Sequence, residues 1–171
     1  TWEHQALVRS RSLAGDHDVC QRFEKIRAQA LQAHRDESQI NNDVMAMRQR
    51  MRNELDRSAG VRFDLKQGPG GLVDMEFFLQ ARVLALGNAK ATVLAAQRSP
   101  EILRVLEDIG DIDHDDAQAL HMHYENLIAL SMVCSLDQRP RIADVTDDLQ
   151  MQCEASLKIY ASKGLNFIGA V

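Results

Sequence analysis

The sequence predicts an all-α fold, a bundle of about seven helices carrying one Gly-rich extended insertion at residues 61–73. Three observations predict it. Ala, Leu, Met, Gln, Arg and Glu abound while aromatic residues make up only 5% of the chain, a vocabulary of helices rather than strands. Apolar residues recur at helical spacing, most cleanly at Ile40, Val44, Met47, Met51 and Leu55. The third is punctuation: acidic or hydroxyl caps precede the apolar runs and glycine follows several of them.

Residues 2–14, with Trp2, Ala6, Leu7 and Leu13, read as a first helix stopped by Gly15. Asp16 or Asp18 caps a second, which places Val19, Phe23, Ile26 and Ala30 on one face. His34–Ser38 is a polar break. The stripe from Ile40 then predicts a third helix ending near Gly60, with Arg48, Arg50 and Arg52 off the stripe as a solvated face. Val61 to Lys66 alternate as an extended segment would. Gln67-Gly68-Pro69-Gly70-Gly71 is a loop, because no helix tolerates that density of glycine and proline. A helix from about Val73 to Leu86 is apolar on most sides and therefore central. Beyond Gly87 come a short helix around Thr92–Gln97 and one opened by Ser99-Pro100-Glu101 as cap, first-position proline and first-turn acid. An acidic turn at 110–116 leads into a long helix to about Leu136, broken before Pro140. Thr146-Asp147-Asp148 starts a last helix that ends near Lys163-Gly164.

The 171 residues suit one helical domain spanning 1–171. A net charge of -5 argues against non-specific nucleic-acid binding. Cys20, Cys134 and Cys153 are odd in number and widely spaced, as expected of thiols in a reducing cytosol, so a cytoplasmic location is expected. No apolar run approaches the ~18–20 residues of a membrane span, and no signal-peptide pattern opens the chain. It opens at Thr1-Trp2-Glu3 without an initiator Met and already in helical register, which leads us to expect a domain of a longer protein.

Residues 63–80 carry the candidate chemistry. Successive glycines followed by a helix N-terminus can converge backbone N–H groups on a phosphate, although the spacing is not that of a Walker loop. On the loop alone, a tight turn packing an extended arm on a helix is the better account. Asp74 and Glu76 point roughly 160° apart on a helix and cannot ligate one ion together. If the helix begins at residue 75, Asp74 is its N-cap and Glu76 a first-turn acid. Asp64 and Lys66 share one face of an extended arm and suit an ion pair or a charge offered to a ligand. Asp111, Asp113 and Asp115 mimic a calcium loop, but Asp116 and Met122 stand where Gly and Glu are required, so an acidic helix N-terminus is the better account. His121 and His123 lie on opposite sides of their helix and are not a metal pair.

Trp2-Glu3-His4-Gln5-Ala6-Leu7-Val8-Arg9, Ala14-Gly15-Asp16, Met47-Arg48, Phe63-Asp64-Leu65-Lys66 and above all Gly70-Gly71-Leu72-Val73-Asp74-Met75-Glu76-Phe77 resemble the C-terminal part of glutamate–ammonia-ligase adenylyltransferase, the glutamine synthetase adenylyltransferase of bacteria. That family carries two copies of a nucleotidyltransferase domain followed by a helical domain. The first copy removes AMP from a glutamine synthetase tyrosine and the second adds it. The helical domain reads GGIREIEF in the first copy and GGIVDIEF in the second, and Val73-Asp74 is similar to the second. The motifs cover residues 1–135, and nothing is carried over beyond 136.

The resemblance implies that the segment lies toward a nucleotide cleft, with Lys66, Gly70, Gly71, Asp74 and Glu76 lining it and Trp2, Glu3, Phe63, Asp64 and Phe77 as structural motif residues. It implies ATP and Mg2+ for the full-length enzyme, and as partners an upstream nucleotidyltransferase domain, glutamine synthetase and the PII signal protein, with glutamine as effector. The family's Gly-Ser turn and Asp-x-Asp metal pair are missing. Asp111-Ile112-Asp113 sits in a turn between helices, the wrong context. This chain alone is therefore expected to be catalytically inactive, with no catalytic or metal residue of its own. Two alternatives stand: a pure interaction module binding PII or glutamine synthetase, or the helical domain of a PII uridylyltransferase, against which the Trp2–Leu7 opening and the second-copy motif argue.

Overall fold

A computed structural model of the chain describes residues 2–168. Seven α-helices are α1 (Trp2–Arg9), α2 (His17–Gln32), α3 (Glu37–Leu55), α4 (Leu72–Leu86), α5 (Ser99–Asp108), α6 (His114–Leu136) and α7 (Asp147–Ser162). Two short strands, β1 (Arg62–Asp64) and β2 (Ile142–Asp144), and a 3-10 turn at Ala91–Leu94 complete the regular structure of the described residues. The all-α fold with one extended insertion is therefore observed. Asp16, Asp36, Asp113 and Thr146 cap α2, α3, α6 and α7 by accepting first-turn backbone N–H groups. Asp113 thus makes the acidic run at 111–116 a helix start.

The helix α4 is the axis of the molecule. It is buried on most sides and contacts α1, α3, α5, α6 and the 3-10 turn. Met75, Phe78, Leu79, Val83 and Leu84 join Val8, Leu31, Ile40, Val44, Leu103, Leu106, Leu120 and Tyr160 in the main core. A second, smaller core lies under the insertion, where Phe63, Leu65 and Leu72 meet Leu127 and Cys134 of α6 and Leu149 and Cys153 of α7.

Several boundaries and faces differ from expectation, each for an identifiable reason. The first helix stops at Arg9 rather than 14. Buried Arg27 of α2 donates through Nε and Nη2 to the carbonyls of Leu7 and Val8 at 2.8 and 2.7 Å, and through Nη1 to that of Leu94 at 3.0 Å. Those bonds satisfy the carbonyls that end α1. They also set the rotation of α2: Arg27 and Leu31 face inward, and Val19 and Ile26 of the expected apolar face are 62% and 65% exposed. On α3 the buried line is Ile40, Val44 and Arg48 at intervals of four, while Leu55 ends the helix exposed. Arg48 and Arg52 are thus not part of a solvated face, and only Arg50 of the three is exposed.

Downstream, α5 starts at Ser99 itself, with Glu101 Oε2 accepting the N–H groups of Gln97 and Arg98 at 3.3 and 3.2 Å. The expected short helix at 92–97 is the 3-10 turn at 91–94. The arm at 61–66 holds a real strand, and its antiparallel partner was unforeseen: Arg62 faces Asp144, Phe63 faces Ala143 and Asp64 faces Ile142. Three residues carry no readable period, and the pairing joins segments about eighty residues apart.

Candidate functional site

The segment from β1 to α4 folds back on itself. Asp64 Oδ1 accepts the N–H groups of Lys66 and Gln67, both at 2.9 Å, and the Asp64 carbonyl accepts that of Gly68 at 2.8 Å. The Leu72 N–H donates to the Leu65 carbonyl at 3.0 Å and the Val73 N–H to the Lys66 carbonyl at 3.1 Å, closing the loop at its base. The expected Asp64–Lys66 relation is therefore side chain to backbone. At Gly70, φ is +78° and a Cβ would lie 2.9 Å from the Cys153 Cβ, so the turn demands glycine twice over. Gly71 occupies the N-cap of α4, where a Cβ would meet the Gly68 carbonyl oxygen at 2.9 Å.

Because α4 begins at Leu72, Asp74 is not its N-cap but lies inside the first turn, fully buried. Its carboxylate accepts four hydrogen bonds from three groups. Arg48 Nε donates to Oδ1 at 2.5 Å, Arg52 Nη2 to Oδ1 and Oδ2 at 2.7 and 2.6 Å, and the Gly70 N–H to Oδ2 at 2.7 Å. Arg48 Nη2 also donates to the Gln67 carbonyl at 2.6 Å, and Arg52 Nη1 to that of Phe167 at 2.5 Å. One carboxylate and two guanidinium groups thus clamp α3, the glycine loop, α4 and the segment after α7. Burial pushes the Asp74 carboxyl up, and Arg48, Arg52 and the Gly70 N–H oppose it.

A second tie comes from α6. Buried His123 donates from Nε2 to the Gly70 carbonyl at 2.7 Å, with Cys153 Sγ 3.9 Å from the same nitrogen. Desolvation lowers the His123 pKa and pushes the Cys153 thiol up to about 12, so neither group is charged near neutrality.

The structure separates the five expected cleft residues. Gly70, Gly71 and Asp74 are buried, so any part they take in a cleft passes through the loop they shape. Glu76 leaves the opposite side of α4 and pairs with Arg9 at 2.5 Å, as the angular split from Asp74 requires. Lys66 is exposed on the rim of a cleft of about 310 Å3, shared with Leu55, Arg57, Asp64, Gln67, Pro140, Arg141 and Ile142. Of the structural motif residues, Phe63 and Asp64 are buried, Phe77 is half-buried, and Trp2 and Glu3 are exposed on α1. Arg48, Arg52, Arg57, His123 and Arg141 escaped sequence reasoning as site residues. A signal existed only for Arg48, which continues the four-residue interval of Ile40 and Val44.

Compared with known proteins, the chain matches the family described as GlnD PII-uridylyltransferase over residues 38–156. It is 46% identical over 155 residues, 91% of its length, to a bifunctional glutamine synthetase adenylyltransferase/adenylyl-removing enzyme from Stenotrophomonas maltophilia, and covers 17% of that protein. A protein of the same name from Xanthomonas campestris pv. campestris is 41% identical over 167 residues, 98% of the chain and 18% of the relative. One from Nitrosococcus oceani is 47% identical over 120 residues, 70% of the chain and 12% of the relative. The chain spans less than a fifth of each of these relatives, and the likeness to the first two continues past residue 135, where the recognisable motifs end. The glycine loop, its clamp and most of α3 to α7 fall within the matched span, and the chain belongs to the family described as GlnD PII-uridylyltransferase.

Proposed function

We propose that this chain is the helical accessory domain of a bifunctional enzyme that adenylylates and deadenylylates glutamine synthetase, from the half that transfers AMP from ATP to a tyrosine of that protein. The relatives carry that activity in their names. The Val73-Asp74 pair supports the adenylylating half. The observation that carries a site role is the clamped loop: Arg48, Arg52, Asp74 and His123 hold residues 64–71 in one shape and leave the Lys66 ammonium outside it. A group held this way is pre-organised to meet a phosphate presented by a neighbouring catalytic domain.

Magnesium does not fit this chain's segment. Asp74 is committed to two arginines and Glu76 to Arg9, and the described residues hold no group of three His, Cys, Asp or Glu side chains suited to an ion. The metal ligands and the reacting atoms belong to the upstream nucleotidyltransferase domain in this reading. When bound there, magnesium neutralises phosphate charge. The present residues position and orient.

The test is Lys66→Ala in the full-length protein. AMP transfer to glutamine synthetase should fall about tenfold or more, corresponding to roughly 1.4 kcal/mol, with the melting curve unchanged because Lys66 is exposed. Undiminished transfer would remove the site role. The second reading, an interaction module for PII or glutamine synthetase, draws on the outward apolar positions Val19 and Ile26 of α2. Ile26→Glu would then abolish complex formation while leaving AMP transfer to saturating glutamine synthetase intact.

A further inference from the structure

We propose that the cleft between the glycine loop and the start of β2 binds a chain of two or more linked phosphates, with Arg57, Lys66 and Arg141 as its ligands. Three separate stretches of sequence supply these cations: the segment after α3, the loop after β1 and the α6–β2 connection. The β1–β2 pairing brings Lys66 and Arg141 together, and the Arg57 N–H reaches Asp64 Oδ2 at 3.4 Å. The Leu65 N–H donates to the Arg141 carbonyl at 3.0 Å, which holds the Arg141 backbone beside that of Lys66.

Neighbouring cations in the same region are neutralised by carboxylates. Arg62 pairs with Asp144 at 3.5 Å and Arg139 with Asp137 at 3.2 Å. Among the described residues no carboxylate pairs with the side chains of Arg57, Lys66 or Arg141, in a chain whose 25 acids outnumber its 20 Lys and Arg residues. The single acid of the cleft wall, Asp64, is buried. Its oxygens are occupied by the N–H groups of Arg57 at 3.4 Å and of Lys66 and Gln67 at 2.9 Å, so they fix the loop rather than cancel the rim. Three cations against one carboxylate leave an excess of positive charge in a concavity also lined by Leu55, Pro140 and Ile142. Apolar walls strengthen the field between them. A single phosphate engages one fork of charge, whereas linked phosphates present several oxygens along a line and match cations supplied from both sides of a cleft.

The inference rests on the proposed function only for the origin of the anion, which would be either the tail of a nucleoside triphosphate or free pyrophosphate. Direct binding decides it without any catalytic readout. Pyrophosphate, ATP and AMP are titrated calorimetrically into the chain and into Lys66→Glu, Arg141→Glu and Arg57→Gln, with Arg22→Glu on α2 as the control. We expect saturable binding of pyrophosphate and ATP, weaker binding of AMP, and a Kd raised about tenfold or more in the three cleft variants but not in the control. ATP binding much tighter than pyrophosphate identifies the nucleotide tail as the source, and equal binding identifies free pyrophosphate. All substituted side chains are exposed, so circular dichroism should report native folding, and Lys66→Gln and Arg141→Gln repeat the test without a new charge. No saturable pyrophosphate binding by the unaltered chain, or binding unmoved by the cleft variants, overturns the proposal. Loss of AMP transfer in Lys66→Ala alongside absent pyrophosphate binding would leave the accessory-domain reading standing and remove only this one.

Discussion

At the scale of single residues, Asp74 shows how one side chain can look catalytic and act as a brace. A carboxylate beside a glycine loop at a helix start is what an anion or metal site offers, yet every donor it meets belongs to its own chain. Removing one member of a buried charge group leaves the others uncompensated, at a cost of about 3–5 kcal/mol. Asp74→Ala should therefore lower stability by that amount, because Arg48, with no exposed side-chain surface, and nearly buried Arg52 would face each other without an anion. Urea unfolding checks this, and a loss under about 1 kcal/mol would show that the three groups act as a weak surface pair. A fall in AMP transfer by Asp74→Ala would follow from such unfolding, so Lys66→Ala is the cleaner probe of function.

At the scale of elements, the loop is held from two sides: α3 through Arg48 and Arg52, and α6 through His123. The His123 tie depends on a neutral ring, since burial lowers its pKa from the ordinary 6.5. The unfolded chain takes up that proton near 6.5 while the folded chain resists it. Unfolding then binds a proton, and stability falls as pH drops below 6.5 toward the depressed folded value. His123→Gln keeps a donor for the Gly70 carbonyl without the titration. Its urea midpoint should differ less between pH 7.5 and 5.5 than that of the parent chain. An equal difference in both proteins would mean that His123 titrates as an ordinary surface residue. The elements also record where sequence periodicity misleads. On α3 the apolar stripe was sound at Ile40 and Val44, but Arg48 takes the next inward place. Residue type had assigned it to solvent. Three backbone carbonyls, those of Leu7, Val8 and Leu94, fix the rotation of α2 about Arg27 in the same way.

At the scale of the whole molecule, α4 organises one core and the insertion a second, and no helix among the described residues is long and apolar enough to cross a membrane. The isolated chain bears the clamp and the cationic rim, and its described residues include no cluster of three His, Cys, Asp or Glu side chains suited to magnesium. It should therefore show no transfer of AMP from ATP to glutamine synthetase. Turnover assayed on the chain with and without the upstream domain checks that expectation. Clear transfer by the chain alone would reassign the chemistry to residues described here.

The sequence by itself determined the helical class, the central helix, the caps at Asp16 and Thr146, the glycine loop as a non-helical insertion and the divergence of Asp74 from Glu76. These follow from local rules: propensity, periodicity, capping and the 100° step of a helix. Only the tertiary structure decided what the loop is bolted to and what it displays. The pairing of 62–64 with 142–144, the burial of Arg48 and the meeting of Arg57, Lys66 and Arg141 are contacts between distant segments. Their energy comes from neutralising and desolvating groups against each other, and a charged residue carries no local mark of whether its partner is water, a buried carboxylate or a phosphate.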